Sequence, residues 1–153
     1  MQRWIILTVV TTAFAGLAAP ARAAQEAADP APATTSVTLD DATIDPKIPS
    51  RVRVDVSYLC SVADDARSLT VSVEQKDPED TSSVAFGSSR TAEADVICDG
   101  TRQHRRIVVQ SKTINWIPGA DAVLTATVSD IGAAPQAAAD AKRAKLPTGP
   151  TTT

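Results

Sequence analysis

Several residue types that build functional sites are scarce in this chain of 153 residues. It contains one histidine, two cysteines, two tryptophans, two phenylalanines and one tyrosine. One histidine and two cysteines are too few for the tetrahedral donor set of a zinc site. The few aromatic side chains are not interleaved with the basic residues, and the formal net charge is −3. Both features argue against nucleic-acid binding, which relies on base stacking and on positive charge.

Catalytic and calcium-binding motifs are missing too. No Gly-x-Ser-x-Gly elbow of a serine hydrolase occurs, and no acidic cluster has the spacing of an EF-hand with its glycine and final glutamate. We therefore expect no catalytic residue, metal or cofactor, and we interpret the acidic clusters as turn residues that favour solubility. Calcium held between two turns is the alternative. The clusters are Asp40, Asp41 and Asp45; Asp64 and Asp65; and Asp77, Glu79 and Asp80.

Apolar runs are absent except at the N-terminus. Arg3 precedes an uncharged apolar run at 5–17, and 21–23 reads Ala-Arg-Ala. This is the order of a secretory signal peptide, and the run is shorter than the roughly 20 residues of a membrane helix. We predict cleavage before Ala24, export, and no stable membrane insertion afterwards. Losing Arg3 and Arg22 leaves 13 basic against 18 acidic residues, a formal charge of −5.

The rest of the chain reads as one domain with flexible ends. The Ala/Pro-rich stretch at 24–34 predicts a flexible leader. The segment 135–146 remains open, because its Ala and Lys content favours a short helix whereas its lysines also suit an edge strand. The predicted organisation is a signal peptide at 1–23, a leader at 24–34, a domain at 35–146 and a disordered tail at 147–153.

The clearest pattern is "RVRVDVSYLC" at 51–60, where apolar residues alternate with mostly charged ones. Period-two alternation is typical of a half-buried antiparallel strand. Asp-Pro, Asp-Gly and Pro-Gly pairs supply turns between such segments. We therefore predict an all-β fold, an immunoglobulin-like antiparallel β-sandwich of about seven strands. The other predicted strands are 67–75, 93–98, 105–111 and 121–130, with weaker candidates at 36–39 and 83–86.

Two cysteines in an exported protein allow one pairing. Cys60 and Cys98 each continue the apolar face of a predicted strand, so both are expected to point into the core. We predict one inter-sheet disulfide between them, contributing about 4 kcal/mol by constraining the unfolded chain.

Four motifs in this order resemble a known family. "SYLC" lies on a strand, "VEQ" ends the next, "ICDG" is shortly followed by His104, and "AVLTATV" alternates. They resemble a family of small secreted actinobacterial proteins known only as a domain of unknown function (DUF6299), over roughly 36–146. The resemblance implies a secreted, β-rich domain with a single disulfide, and it implies no known activity.

Three side chains are candidates for partner contact: Trp116, His104 and Arg102. Trp116 precedes a Pro-Gly turn, where a tryptophan either caps the end of the sandwich or anchors a partner. His104 and Arg102 follow the Asp-Gly turn in a basic stretch with Arg105 and Arg106. The ordinary interpretation of that stretch is the solvated start of a strand, its arginines pairing with nearby aspartates.

The function predicted from these observations is a secreted, non-enzymatic binding or interaction module. Its partner is expected to be an extracellular protein or a cell-surface component, contacted by the loops at 61–66, 77–83, 99–104 and 113–120. Two alternatives come from other classes. One is a secreted protease inhibitor, although the actinobacterial subtilisin inhibitors of similar length typically carry two disulfides. The other is a secreted hydrolase that uses His104 as its base.

Overall fold

The computed structural model describes residues 35–60, 67–130 and 136–150. These residues form seven strands and one short 3₁₀ turn, Glu93–Asp95. The prediction of an all-β fold is confirmed. The signal peptide, the leader and the loop at 61–66 lie outside the described residues. The strands are β1 (Ser36–Ile44), β2 (Arg51–Leu59), β3 (Arg67–Lys76), β4 (Val84–Thr91), β5 (Gln103–Gln110), β6 (Asp121–Asp130) and β7 (Gln136–Lys145).

Two antiparallel sheets enclose one core. The first has the order β1-β2-β5 and the second has the order β4-β3-β6-β7. In the constant-type immunoglobulin sandwich the fourth strand belongs to the sheet of the first, second and fifth. Here β4 instead pairs with β3 over eight residues, from Leu69↔Thr91 to Lys76↔Val84. The seven-stranded sandwich is confirmed, and its assignment to the immunoglobulin type stays a prediction.

The alternating segments bury the faces that the sequence predicts. In β2 the inward-facing side chains of Val52, Val54, Val56 and Tyr58 are at most 1 % exposed, because successive side chains of a strand point to opposite sides of the sheet. Facing residues from the second sheet complete the core, and Trp116 and Leu146 close it from the loops. The main contributors from the strands are Val52, Val54, Val56, Tyr58, Leu69, Val71, Val73, Ile107, Val109, Leu124, Ala126 and Val128.

The predicted strand at 93–98 is wrong. Val96 and Cys98 are buried, but Ala94 is exposed and the segment starts with the 3₁₀ turn. Backbone groups of this segment form hydrogen bonds with side chains instead of with a neighbouring strand. Tyr58 Oη accepts from the Ile97 N–H at 3.1 Å, and Arg67 donates to the Val96 carbonyl at 3.2 Å. Alternating burial needs only an extended chain, whereas a strand also needs a partner.

The Cys60–Cys98 disulfide is confirmed, with a Cα–Cα distance of 4.9 Å. Its predicted position between strands of opposite sheets is wrong. Cys60 directly follows β2, and Cys98 lies in the connection that runs from β4 in one sheet to β5 in the other. The Gly100 N–H also donates to the Cys60 carbonyl at 3.1 Å. The disulfide therefore anchors this crossover to the end of β2.

The open segment at 135–146 forms a strand rather than a helix. All ten residues of β7 pair with β6, from Asp121↔Lys145 to Asp130↔Gln136. Ala138 and Ala144 also pack against the core, so tertiary contacts override the local helical preference of alanine and lysine.

The chain stays attached to the sandwich beyond 146, where the sequence predicts the start of a disordered tail. The Ile44 N–H donates to the Pro147 carbonyl and the Gly149 N–H donates to the Ile44 carbonyl, both at 2.8 Å. Thr148 forms a parallel bridge with Ile44. These residues extend the first sheet beside the end of β1.

Candidate functional site

His104 lies near the start of β5, directly opposite Ser57 of β2. Its Nδ1 is 2.9 Å from Ser57 Oγ, and that oxygen is 2.5 Å from Asp40 Oδ2 on β1. The three side chains form a hydrogen-bonded row across the outer face of the first sheet. Antiparallel register brings them together, although they are 47 and 17 residues apart in sequence.

The order of this row differs from that of a catalytic triad. In a triad the histidine lies between the serine and the carboxylate, so that it accepts the serine proton while the carboxylate orients the ring. Here Ser57 lies in the middle and donates its proton to Asp40, so the His104 Nδ1–H donates to Ser57 Oγ. The Ser57 side chain is also buried. The row is a structural network that connects β1, β2 and β5.

The arginines beside His104 are already engaged. Arg106 forms a two-pronged ion pair with Asp55 at 2.8 and 3.0 Å. The hydrogen bonds that Arg106 donates to Asp55, together with the negative charge of that carboxylate, raise the pKa of Arg106 above its ordinary value. Arg105 lies on the opposite face of β5 and donates to the Asp95 carbonyl at 2.5 Å. Arg102 is exposed and bonds to none of the described residues. In this stretch Arg102 and His104 are exposed without an ion pair to a described residue, whereas Arg105 and Arg106 are held by Asp95 and Asp55.

Trp116 is 1 % exposed, so its side chain presents almost no surface to a partner. Its indole Nε1–H donates to the Ser50 carbonyl at 3.0 Å, and its backbone N–H donates to the Pro49 carbonyl at the same distance. The packed ring is what the capping alternative predicts, but the indole N–H bonds to the protein rather than to water. This side chain holds the connection after β5 against the turn between β1 and β2.

The aspartates of the acidic clusters mostly stabilise their own turns. Asp45 Oδ1 accepts the Lys47 N–H at 2.9 Å, and Asp45 Oδ2 binds Arg53 at 2.6 Å. Asp77 and Asp80 accept N–H groups two residues further on. Among the residues that the structure describes, no three His, Cys, Asp or Glu side chains form a group that could hold a metal. Asp64 and Asp65 lie outside that part of the chain.

A depression of about 630 Å³ lies between two of the predicted contact loops. Asp77, Pro78 and Thr81 form one wall and 117–120 the other, while Val123 on the outer face of β6 is 40 % exposed. We call this depression the end groove. Its apolar lining consists mainly of Pro78, Ile117, Pro118, Ala120 and Val123.

Three cations border the end groove: Lys76 on β3, and Arg143 and Lys145 on β7. None of their side chains forms an ion pair or hydrogen bond with a described residue. Glu74 and Asp121 lie beside them, so the lining is mixed in charge. Unpaired cations next to apolar surface can bind a ligand that combines carboxylates with apolar groups.

Sequence reasoning identified the two loops of the end groove and missed Arg143 and Lys145. These residues belong to the segment whose structure the sequence left open. In the pairing of β7 with β6, Lys145 lies opposite Asp121 and Arg143 lies opposite Val123. Arg143 and Lys145 could therefore be identified from the sequence only if 136–145 were recognised as a strand paired with β6.

No protein-family model and no curated protein matches this chain. Among the described residues no helix is long and apolar enough to cross a membrane.

Proposed function

We propose that this protein is a secreted, non-enzymatic binding module that recognises an extracellular protein or a cell-surface component through the end groove. The observation that carries the proposal is the coincidence of apolar lining with three unpaired cations at the end of the second sheet. Binding sites combine apolar contact area with a few polar groups that orient the ligand. A segment carrying carboxylates between apolar residues fits this lining.

Export is part of the proposal. It is supported by the signal-like order of residues 1–23 and by the disulfide between Cys60 and Cys98, because structural disulfides persist mainly in oxidising compartments. The DUF6299-like resemblance, with its secreted single-disulfide domain, and an actinobacterial origin belong to the same proposal.

A non-enzymatic role is supported by the geometry around His104. Ser57 is buried and hydrogen-bonded to Asp40, so it is not placed as a nucleophile with His104 as its base.

Site-specific photo-crosslinking tests the proposal. A photo-reactive amino acid replaces Thr81, an exposed residue of the end groove, in one variant and Arg102 in the other. Each purified variant is irradiated with culture supernatant and with cell-wall fractions. We expect an adduct of defined mass from position 81, lost when Arg143→Glu is added, and none from position 102. An adduct from position 102 alone, the same adducts from both positions, or none from position 81 would contradict the proposal.

A further inference from the structure

One edge of the second sheet has backbone groups that pair with no residue in the described part of the chain. β7 pairs with β6 along its full length on one side. On its other side, none of the backbone groups of Gln136–Lys145 bonds to a described residue. A free edge of this kind is a template onto which another strand can pair.

The neighbouring edge of the first sheet, β1, has backbone groups that form hydrogen bonds with side chains of β7. β7 side chains cover it, because Asp140 accepts the Leu39 N–H at 2.8 Å and Lys142 donates to the Asp40 carbonyl at 2.7 Å. Residues 147–149 continue this cover at Ile44. The fold therefore protects β1 with β7 and leaves β7 itself as the outermost strand on this side.

The side chains of β7 suit close approach by a second strand. Ala137, Ala139 and Ala141 are exposed on its outer face, and its ten residues include neither proline nor glycine. Natural edge strands are usually protected by prolines, bulges or charges directed at the approaching strand. In β7 the cations are confined to 142–145, and the single charged residue of the preceding half, Asp140, accepts the Leu39 N–H of β1.

We propose that β7 pairs with β7 of a second copy of this chain, antiparallel, with the twofold axis at Ala141. In this register, nine residues of each strand overlap. Asp140 of each copy faces Lys142 of the other, and these residues keep capacity for the contact, because Asp140 Oδ1 and two ammonium hydrogens of Lys142 are not used in the bonds to β1.

Charge selects this register among its neighbours. An axis at Asp140 brings two carboxylates opposite each other, and an axis at Lys142 brings two ammonium groups together. Like charges in directly opposed positions destabilise a strand pair, whereas opposite charges stabilise it. An axis at Ala139 avoids both clashes but shortens the overlap and places Asp140 opposite an alanine. With the axis at Ala141, Arg143 faces Ala139 of the second copy.

Disulfide trapping tests the register. Ala141→Cys is compared with Ala139→Cys, two exposed positions on the same face of the same strand. The first variant places both new sulfurs at the axis. The second separates them by four residues along the strand, roughly 13 Å, beyond the reach of a disulfide. We expect Ala141→Cys to form a covalent dimer under mild oxidation and Ala139→Cys to remain monomeric. Equal cross-linking of both variants, or none of either, would overturn the proposal.

A charge pair tests the same contact without a covalent bond. Ala139→Glu places a carboxylate opposite Arg143 of the second copy, whereas Ala139→Lys places a second cation there. Sedimentation velocity over a concentration series should show tighter dimerisation for the Glu variant and weaker for the Lys variant, by roughly threefold or more each way. Identical association of the two variants, or a monomer at every concentration, would contradict the pairing. The two proposals share Arg143, which borders the end groove and faces Ala139 of the second copy, but their tests are separate. A failure of dimerisation leaves the photo-crosslinking at Thr81 unaffected.

Discussion

At the scale of single residues, buried polar groups find protein partners. The buried Gln75 accepts the Ile117 N–H at 2.7 Å and donates to the carbonyls of Ile117 and Ala120. Trp116 donates to Ser50, and Tyr58 accepts from Ile97. Because a buried polar group without a partner is costly, each of these side chains holds a loop in place as well as filling the core.

Trp116→Ala removes the largest buried side chain and its hydrogen bond to Ser50. We expect it to lower the free energy of unfolding by about 3–5 kcal/mol, as for other buried aromatic residues. Guanidinium unfolding followed by far-ultraviolet circular dichroism measures the loss. Phe86→Ala is the control, because Phe86 is 40 % exposed, and we expect less than half the effect. Equal losses would contradict the buried position of Trp116.

Asp45 predicts a pH dependence. The hydrogen bond from the Lys47 N–H lowers the pKa of its carboxyl, with a further contribution from the charge of Arg53, against the opposing effect of desolvation. A carboxyl with a lowered folded-state pKa stabilises the fold above its unfolded pKa, about 3.9, and this stabilisation is lost as the pH falls through the folded pKa. The stability advantage over Asp45→Asn should therefore be present at neutral pH and shrink below pH 4.

Urea unfolding of the native protein and of the Asp45→Asn variant between about pH 2 and pH 7 measures this dependence. Asp41→Asn is the matched control, because Asp41 is exposed and bonds to none of the described residues. A stability difference for Asp45→Asn that stays constant with pH would contradict the assignment.

At the scale of elements, the two sheets approach closely where β4 meets β5. A Cβ at Gly87 would overlap the Gln110 carbonyl oxygen and would lie 2.9 Å from Val109 Cγ1. The Lys112 N–H donates to the Phe86 carbonyl beside this point. Glycine is therefore needed at 87 for space and not for an unusual backbone angle.

Gly87→Ala should destabilise the protein by about 1–3 kcal/mol, the usual cost of overpacking. It should also accelerate amide hydrogen exchange at Lys112, whose bond depends on this contact. Gly100→Ala is the comparison, because Gly100 has φ +78° and open space around it. Its cost is conformational, about 1–2 kcal/mol, and should leave exchange at Lys112 unchanged. Unchanged exchange in Gly87→Ala would refute the close approach.

At the scale of the whole molecule, one disulfide stabilises a domain with few aromatic side chains. It closes a loop with a sequence separation of 38. Cys60→Ala with Cys98→Ala should lower the free energy of unfolding by about 4 kcal/mol, because the unfolded chain regains loop entropy. Exported protein should have the mass of a chain starting near Ala24, less two hydrogens. Two free thiols, or a mass that retains residues 1–23, would contradict the disulfide or the signal peptide respectively.

The alternating segments at 51–60, 67–75, 105–111 and 121–130, the seven-stranded sandwich and the Cys60–Cys98 pairing were predictable from the sequence. Strand periodicity is local, and two cysteines leave one choice. Strand periodicity also predicted a strand at 93–98, which is wrong, because periodicity detects alternating burial and not pairing with a neighbouring strand. The sequence did not distinguish helix from strand at 135–146, because the local preferences conflict there. Pairing with β6 makes this segment a strand.

The candidate sites depend on contacts that are distant in sequence. Strand register brings Asp40, Ser57 and His104 into one row. The end groove forms because β7 places Arg143 and Lys145 beside the loops. Trp116 is buried because Pro49 and Ser50 contact it. The sequence by itself determined which faces are apolar, which cysteines pair and where the turns lie, since these follow from near neighbours and composition. Only the tertiary structure decided which polar side chains meet and which edge remains unpaired, because both depend on the positions of strands relative to one another.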